Sequence, residues 1–65
     1  MERRTTHFKT LPAAKEAIAT AFRHTRLEFS GVREGYAIWT LRGAGSLAIY
    51  GKLYEGPDAF LFVAN

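Results

Sequence analysis

The sequence predicts an α+β fold in which one amphipathic helix packs on one face of a three- or four-stranded antiparallel β-meander. Two observations predict it. Apolar residues in the first half recur at helical spacing, and apolar residues in the second half alternate with polar ones at the period of two that a strand requires. Glycine-bearing turns of hairpin length separate the alternating segments, as is typical of antiparallel neighbours.

The helix is predicted over residues 10–26, TLPAAKEAIATAFRHTR. Its apolar side chains follow the i, i+3, i+4, i+7 spacing of a single stripe, formed by Leu11, Ala14, Ile18, Ala21 and Phe22. Thr10 is the expected N-cap, and Pro12 fits the first turn, where a missing N–H costs nothing. Because the helix has one apolar stripe, it is expected to cover one face of the sheet.

Four strands are predicted from the segments RLEFS, YAIWTLR, SLAIYGKLY and AFLFVA. The short loops predict one facing pair in each hairpin: Ser30 with Tyr36, Arg42 with Ser46, and Tyr54 with Ala59. These registers place a mostly apolar set on one face, which is therefore the expected core: Leu27, Phe29, Ala37, Trp39, Leu41, Leu47, Ile49, Gly51, Leu53, Phe60 and Phe62. Gly51 is expected to let the helix approach closely.

The segment TTHFKT, residues 5–10, can add a short edge strand before the helix. In such a strand His7 and Phe8 would point to opposite faces of the sheet.

The opposite sheet face is expected to remain uncovered, because the chain has no second helix to pack on it. The same registers place on this face Glu28, Ser30, Tyr36, Ile38, Thr40, Ala48, Tyr50, Lys52, Tyr54, Leu61 and Val63. The candidate partner-binding residues are those that form an apolar, tyrosine-bearing patch centred on Tyr50: Tyr36, Ile38, Tyr50, Lys52, Tyr54, Leu61 and Val63.

Three interpretations of this patch are open. It is an interface for a protein partner or for a second copy in a homodimer, since tyrosine contributes large contact area at low entropic cost. It is a stacking platform for single-stranded nucleic acid, with Lys52 and Arg42 supplying the charge. In the third interpretation the meander curls strongly and buries part of this face within the monomer, or the tyrosines lie flat on their own sheet.

The basic charge is concentrated at the amino-terminal end of the chain. Residues 1–26 contain six basic and two acidic residues, whereas residues 27–65 contain three basic and four acidic ones. This asymmetry suggests an anionic partner as an alternative. In that alternative the protein binds nucleic acid through the amino-terminal arm and helix, with Arg3, Arg4, Lys15, Arg23 and Arg26 as the contacting residues.

No motif indicates catalysis, a cofactor or a bound metal. His24 with Glu28 or Glu34 could act in acid–base chemistry, but nothing in the spacing fixes that geometry. The segment GAGS lacks the lysine and the following helix of a phosphate-binding loop. The chain has no Cys and two His, which excludes a disulfide framework and disfavours a structural zinc site.

The 65 residues are expected to form a single domain, residues 1–65. No apolar run is long enough to cross a bilayer, and the basic start lacks the apolar stretch of a signal peptide, so a cytoplasmic location is expected. The sequence therefore predicts a small non-enzymatic binding protein. The expected role is a regulator or inhibitor of a protein partner, for instance a phage or mobile-element accessory protein.

Overall fold

One helix packs on a five-stranded antiparallel sheet in the computed structural model, which describes residues 4–65. The elements are β1 (Arg4–Phe8), α1 (Leu11–Ala21), β2 (Thr25–Arg33), β3 (Tyr36–Gly43), β4 (Ile49–Glu55) and β5 (Phe60–Ala64). The strand order across the sheet is β1-β5-β4-β3-β2. The predicted α+β class is confirmed, and the strand count is corrected from three or four to five because β1 pairs with β5 at the sheet edge.

Helix α1 begins and ends through local backbone chemistry. Thr10 has an extended backbone, and its hydroxyl accepts a hydrogen bond from the Ala13 N–H at 3.3 Å, as an N-cap should. The Phe22 N–H closes the last turn on the Ile18 carbonyl at 2.8 Å. His24 then adopts a left-handed backbone with φ of 58°, which turns the chain into β2. The helix is therefore shorter than the predicted span of residues 10–26.

All three predicted strand registers are wrong, yet the faces they assign are mostly right. Each hairpin pairs differently from the expectation: Phe29 faces Trp39 rather than Ala37, Leu41 faces Gly51 rather than Leu47, and Tyr54 faces Leu61 rather than Ala59. At these pairs each slip is an even number of residues. Since side chains alternate with a period of two, an even slip leaves each side chain on its predicted face.

The core lies between α1 and the middle of the sheet. The buried apolar residues are Ala14, Ile18, Leu41, Leu53 and Phe62. The predicted role of Gly51 is corrected, because its close neighbour is strand β5 and not the helix. A Cβ at Gly51 would lie 2.6 Å from the Val63 carbonyl oxygen and 2.7 Å from the Phe62 ring.

Part of the predicted core face is exposed. Phe29 is 57% exposed, Leu47 is 88% exposed and Ile49 is 41% exposed, although all three were expected to be buried. Ile49 faces Arg42 beyond the β3–β4 register shift, which places it on the opposite face from the one predicted. A helix is about 10 Å wide, whereas five strands about 4.8 Å apart span roughly 20 Å, so one helix cannot cover the whole sheet. The edge strand β2 is left uncovered on the helix side, and Leu47 lies in the loop between β3 and β4.

Candidate outer-face binding site

The outer face, which is the side of the sheet opposite α1, carries two rows of facing side chains. One row runs from β3 to β1 through Ile38, Tyr54, Leu61 and His7, and the other through Thr40, Lys52, Val63 and Thr5. Ile38, Tyr54, Leu61 and Val63 are half-buried, while Lys52 is exposed. Within residues 4–65 no element packs over these rows, since the one helix lies on the other side.

Tyr50 does not lie at the centre of the outer face, and its predicted position there is wrong. The β3–β4 register shifts where Leu41 faces Gly51 and Arg42 faces Ile49, so Tyr50 is the extra residue of a β-bulge. The bulge turns the tyrosine toward the helix side, where its ring centroid lies 6.1 Å from that of Phe22. Tyr50 therefore packs beside the end of the helix and not between Ile38 and Val63.

The remaining predicted outer-face residues are brought together. Tyr54 lies between Ile38 and Leu61 on the neighbouring strands, and Lys52 lies between Thr40 and Val63. Tyr36 is at the rim, where its ring covers Gly56: a Cβ on that glycine would lie 2.6 Å from the Tyr36 Cε1 atom. The patch therefore has Tyr54, rather than Tyr50, near its centre.

Basic side chains lie along the β2 and β3 side of this patch, and Lys52 lies within it. The pairing places four basic residues and one acidic residue on the outer face: Arg26, Arg33, Arg42 and Lys52, with Glu28. Glu28 is held by two of them, at 2.9 Å from Arg26 and 2.6 Å from Arg42. The other described acidic residues lie on the helix, on the helix side of β4 or in the turns: Glu16, Glu55, Glu34 and Asp58. The outer face is therefore net positive.

The sheet buries part of the outer face at the corner between β2 and β3. The β2 register shifts between Phe29 and Gly31, and the Ser30 hydroxyl at this bulge lies 2.6 Å from the Thr40 hydroxyl. Thr40 is only 5% exposed as a result. The outer face is therefore closed at Thr40, while the row through Tyr54 is left open.

The residues of the alternative nucleic-acid site do not form one surface. Arg3 lies outside the described residues. The other four are separated: Arg4 lines an apolar cavity between β1 and α1, the Lys15 ammonium lies 5.5 Å from the Trp39 ring centroid, Arg23 is exposed after the helix, and Arg26 pairs with Glu28 on the outer face. The helix and arm therefore offer no continuous basic track among residues 4–65.

The groups considered for acid–base chemistry are also apart. His24 precedes β2 and Glu34 follows it, so a nine-residue strand, about 30 Å long, separates them. Glu28 is occupied by two arginines. Residues 4–65 contain no cluster of three or more His, Asp or Glu side chains that could hold a metal ion. In the same range no helix has the length and apolar character to cross a membrane.

Sequence reasoning placed Lys52 and Arg42 at the patch but assigned Arg26 to the basic arm and helix. Arg26 shares the parity of Glu28 on β2, so alternation alone could have placed it on the outer face. Arg33 could not be placed in this way, because the bulge at Ser30 changes the alternation within β2.

The fold and this face define a small α+β protein with a helix on one side of an antiparallel sheet and an uncovered apolar, basic surface on the other. No protein-family model, curated protein or solved structure matches the chain.

Proposed function

We propose that this protein is a non-enzymatic binding protein whose outer face binds and modulates an acidic protein partner. One observation carries the proposal: the sheet face that α1 leaves uncovered combines a contiguous apolar row with a rim of basic residues. A cytoplasmic location and a role as a phage or mobile-element accessory protein are predictions that accompany this proposal.

The apolar row supplies the contact area. Ile38, Tyr54 and Leu61 face one another on three adjacent strands, and Val63 lies next to them on β5. Burying such a row against a partner removes apolar surface from water, which favours association. A tyrosine near the centre of a patch is also among the residue types most often found to dominate an interface.

The basic rim selects the charge of the partner. Arg33 and Lys52 are exposed, and Glu28 already has two arginine partners, so the face presents unbalanced positive charge. Basic residues around an apolar centre attract acidic residues, which raises the association rate and disfavours basic competitors. The complementary surface is therefore an apolar protein patch bordered by Asp and Glu.

The composition of the row favours protein over single-stranded nucleic acid. Binding of unpaired bases relies on aromatic rings on which successive bases stack. Here three of the four large apolar side chains at the centre of the outer face are aliphatic, namely Ile38, Leu61 and Val63, and Tyr54 is half-buried between its neighbours. Aliphatic side chains of this kind pack well against another protein surface but offer no stacking platform.

Site-specific photo-crosslinking tests the proposal. A photoreactive phenylalanine analogue is placed at Tyr54 on the outer face or, as a matched control, at Thr20 on the exposed side of α1. Irradiation in the cells that produce the protein should give a discrete protein adduct from position 54 and none of that mass from position 20. The purified partner should then bind the parent protein, and Lys52→Glu should weaken that binding about tenfold or more.

A second measurement distinguishes a protein partner from the nucleic-acid alternative. Fluorescence anisotropy with a labelled twenty-nucleotide single-stranded oligonucleotide at low salt should show no binding that depends on Tyr54. Oligonucleotide binding that Tyr54→Ala abolishes and that weakens steeply with salt would replace the protein partner by nucleic acid. Adducts of equal yield from positions 54 and 20 would show that the outer face is not the binding surface.

A further inference from the structure

Strand β2 has one free edge. It is the last strand in the order β1-β5-β4-β3-β2, so the backbone groups on its outer side have no strand partner within residues 4–65. The bulge at Ser30 interrupts the regular pairing, which leaves residues 25–29 as the regular stretch of this edge. An unpaired, regular edge is a template for another strand.

The helix side of the same edge is apolar. Phe29 is 57% exposed and Val32 is 72% exposed, and the Phe29 ring lies edge-on to Trp39 with the centroids 5.2 Å apart. Leu27 is half-buried on the same side, next to the groove along α1. This patch, formed by Leu27, Phe29 and Val32, is distinct from the outer face, because it lies on the opposite side of the sheet.

We propose that a second copy of this chain occupies the β2 edge. The two β2 strands pair antiparallel across a twofold axis at Leu27, which makes a continuous ten-stranded sheet. A twofold axis perpendicular to the sheet keeps the helix sides of both copies on one face. The two Leu27 side chains then face each other, and each Phe29 lies diagonally beside the Leu27 of the other copy. The outer-face rows through Tyr54 and Lys52 remain free. The inference goes beyond the proposed function, which needs only the outer face.

The charges on β2 select this register. With the axis at Leu27, Arg26 of each copy lies opposite Glu28 of the other, so opposite charges meet twice. An axis at Arg26 would oppose the two copies of Arg26, and an axis at Glu28 would oppose the two copies of Glu28. Opposite charges in directly facing cross-strand positions stabilise a pair of strands, and like charges destabilise it. The strand is thus self-complementary in one register.

The dimer would also add stability to a chain whose own core is small. Only five apolar residues are buried among those described, and the sequence has no cysteine to form a disulfide. Chains of this size commonly gain stability from a second copy. The Arg26 side chain is 67% exposed, so it is free to reorient toward a second copy.

Analytical ultracentrifugation over a dilution series, with charge-swapped variants, tests the dimer. The parent should sediment as a dimer that dissociates on dilution. Arg26→Glu and Glu28→Arg should each raise the dimer dissociation constant about tenfold or more, because each opposes like charges twice. An equimolar mixture of the two variants should regain dimer, since position 26 of each variant then faces the opposite charge at position 28 of the other. Recovery on mixing would show that both variants are folded and that each lost the dimer through its charges.

Two further variants keep the test decisive. Phe29→Asp should give a folded monomer. It places a charge in the apolar contact between the two copies, but position 29 is already exposed in the single chain, so the fold should tolerate the change. Tyr54→Glu, on the outer face, should leave the dimer unchanged. A parent that remains monomeric at every concentration overturns the proposal. So does a dimer that Tyr54→Glu dissociates while the charge variants do not, and that result would place self-association on the outer face.

Discussion

Leu53→Ala is expected to remove a large part of the free energy of unfolding of this protein. Leu53 is fully buried on β4, between Trp39 on β3 and Phe62 on β5. Truncating a buried leucine costs about 2–5 kcal/mol, because it loses the transfer free energy and leaves a cavity. Small domains have free energies of unfolding of about 5 kcal/mol, at the low end of the usual range, so one such cavity removes a large part of the stability.

Urea unfolding followed by circular dichroism checks this result against a matched control. Leu47→Ala makes the same chemical change in the loop before β4, where the side chain is 88% exposed, and should alter the free energy of unfolding by less than about 0.5 kcal/mol. Equal losses in the two variants would contradict the assignment of the core.

Gly51→Ala is expected to have the second largest effect, about 1–3 kcal/mol of destabilisation. The added Cβ would lie 2.6 Å from the Val63 carbonyl oxygen and 3.1 Å from the Ala64 Cα atom, both backbone atoms of β5. A backbone contact of this kind is relieved only if β4 and β5 move apart. The neighbouring ladder and the Phe62 side chain in the core would be disturbed with it.

Gly43→Ala is the control for this substitution, and thermal unfolding of both variants is the measurement. A Cβ at Gly43 would meet the Tyr50 ring at 3.2 Å and the Ser46 Cβ at 3.3 Å, which are side-chain atoms that can yield. Gly43→Ala should therefore lower the melting temperature by less than Gly51→Ala. A Gly51→Ala variant as stable as the parent would show that β4 and β5 are not packed as closely as described.

The helix and the sheet faces could be predicted because they depend on local periodicity. Ile18, Leu41 and Leu53 are buried where the spacing predicts, even though the pairing between strands slips. The slips themselves depend on where each turn closes. The β2–β3 turn closes at Glu34 and Gly35, both with positive φ, so β2 extends three residues beyond its predicted end.

The misplaced parts of the candidate site depend on bulges and on the width of the helix. Tyr50 has outer-face parity in the sequence, but one extra residue in β4 turns it toward Phe22. Phe29 has core parity, but the single helix leaves β2 uncovered. Neither a bulge nor the area that one helix covers produces a period in the sequence, so alternation could not reveal them.

Two matched tyrosine variants test the central claim, that the outer face binds the partner, most directly. The affinity of the purified cross-linked partner for Tyr54→Glu and for Tyr50→Glu is measured together with the thermal unfolding of each variant. Tyr54→Glu should lose binding and keep its fold, because an unpaired charge at the centre of an apolar interface costs several kcal/mol while it remains solvated in the free protein. Tyr50→Glu should keep binding and unfold at a lower temperature, since it loses the contact with Phe22. Binding that survives Tyr54→Glu but is lost in a folded Tyr50→Glu variant would contradict the account.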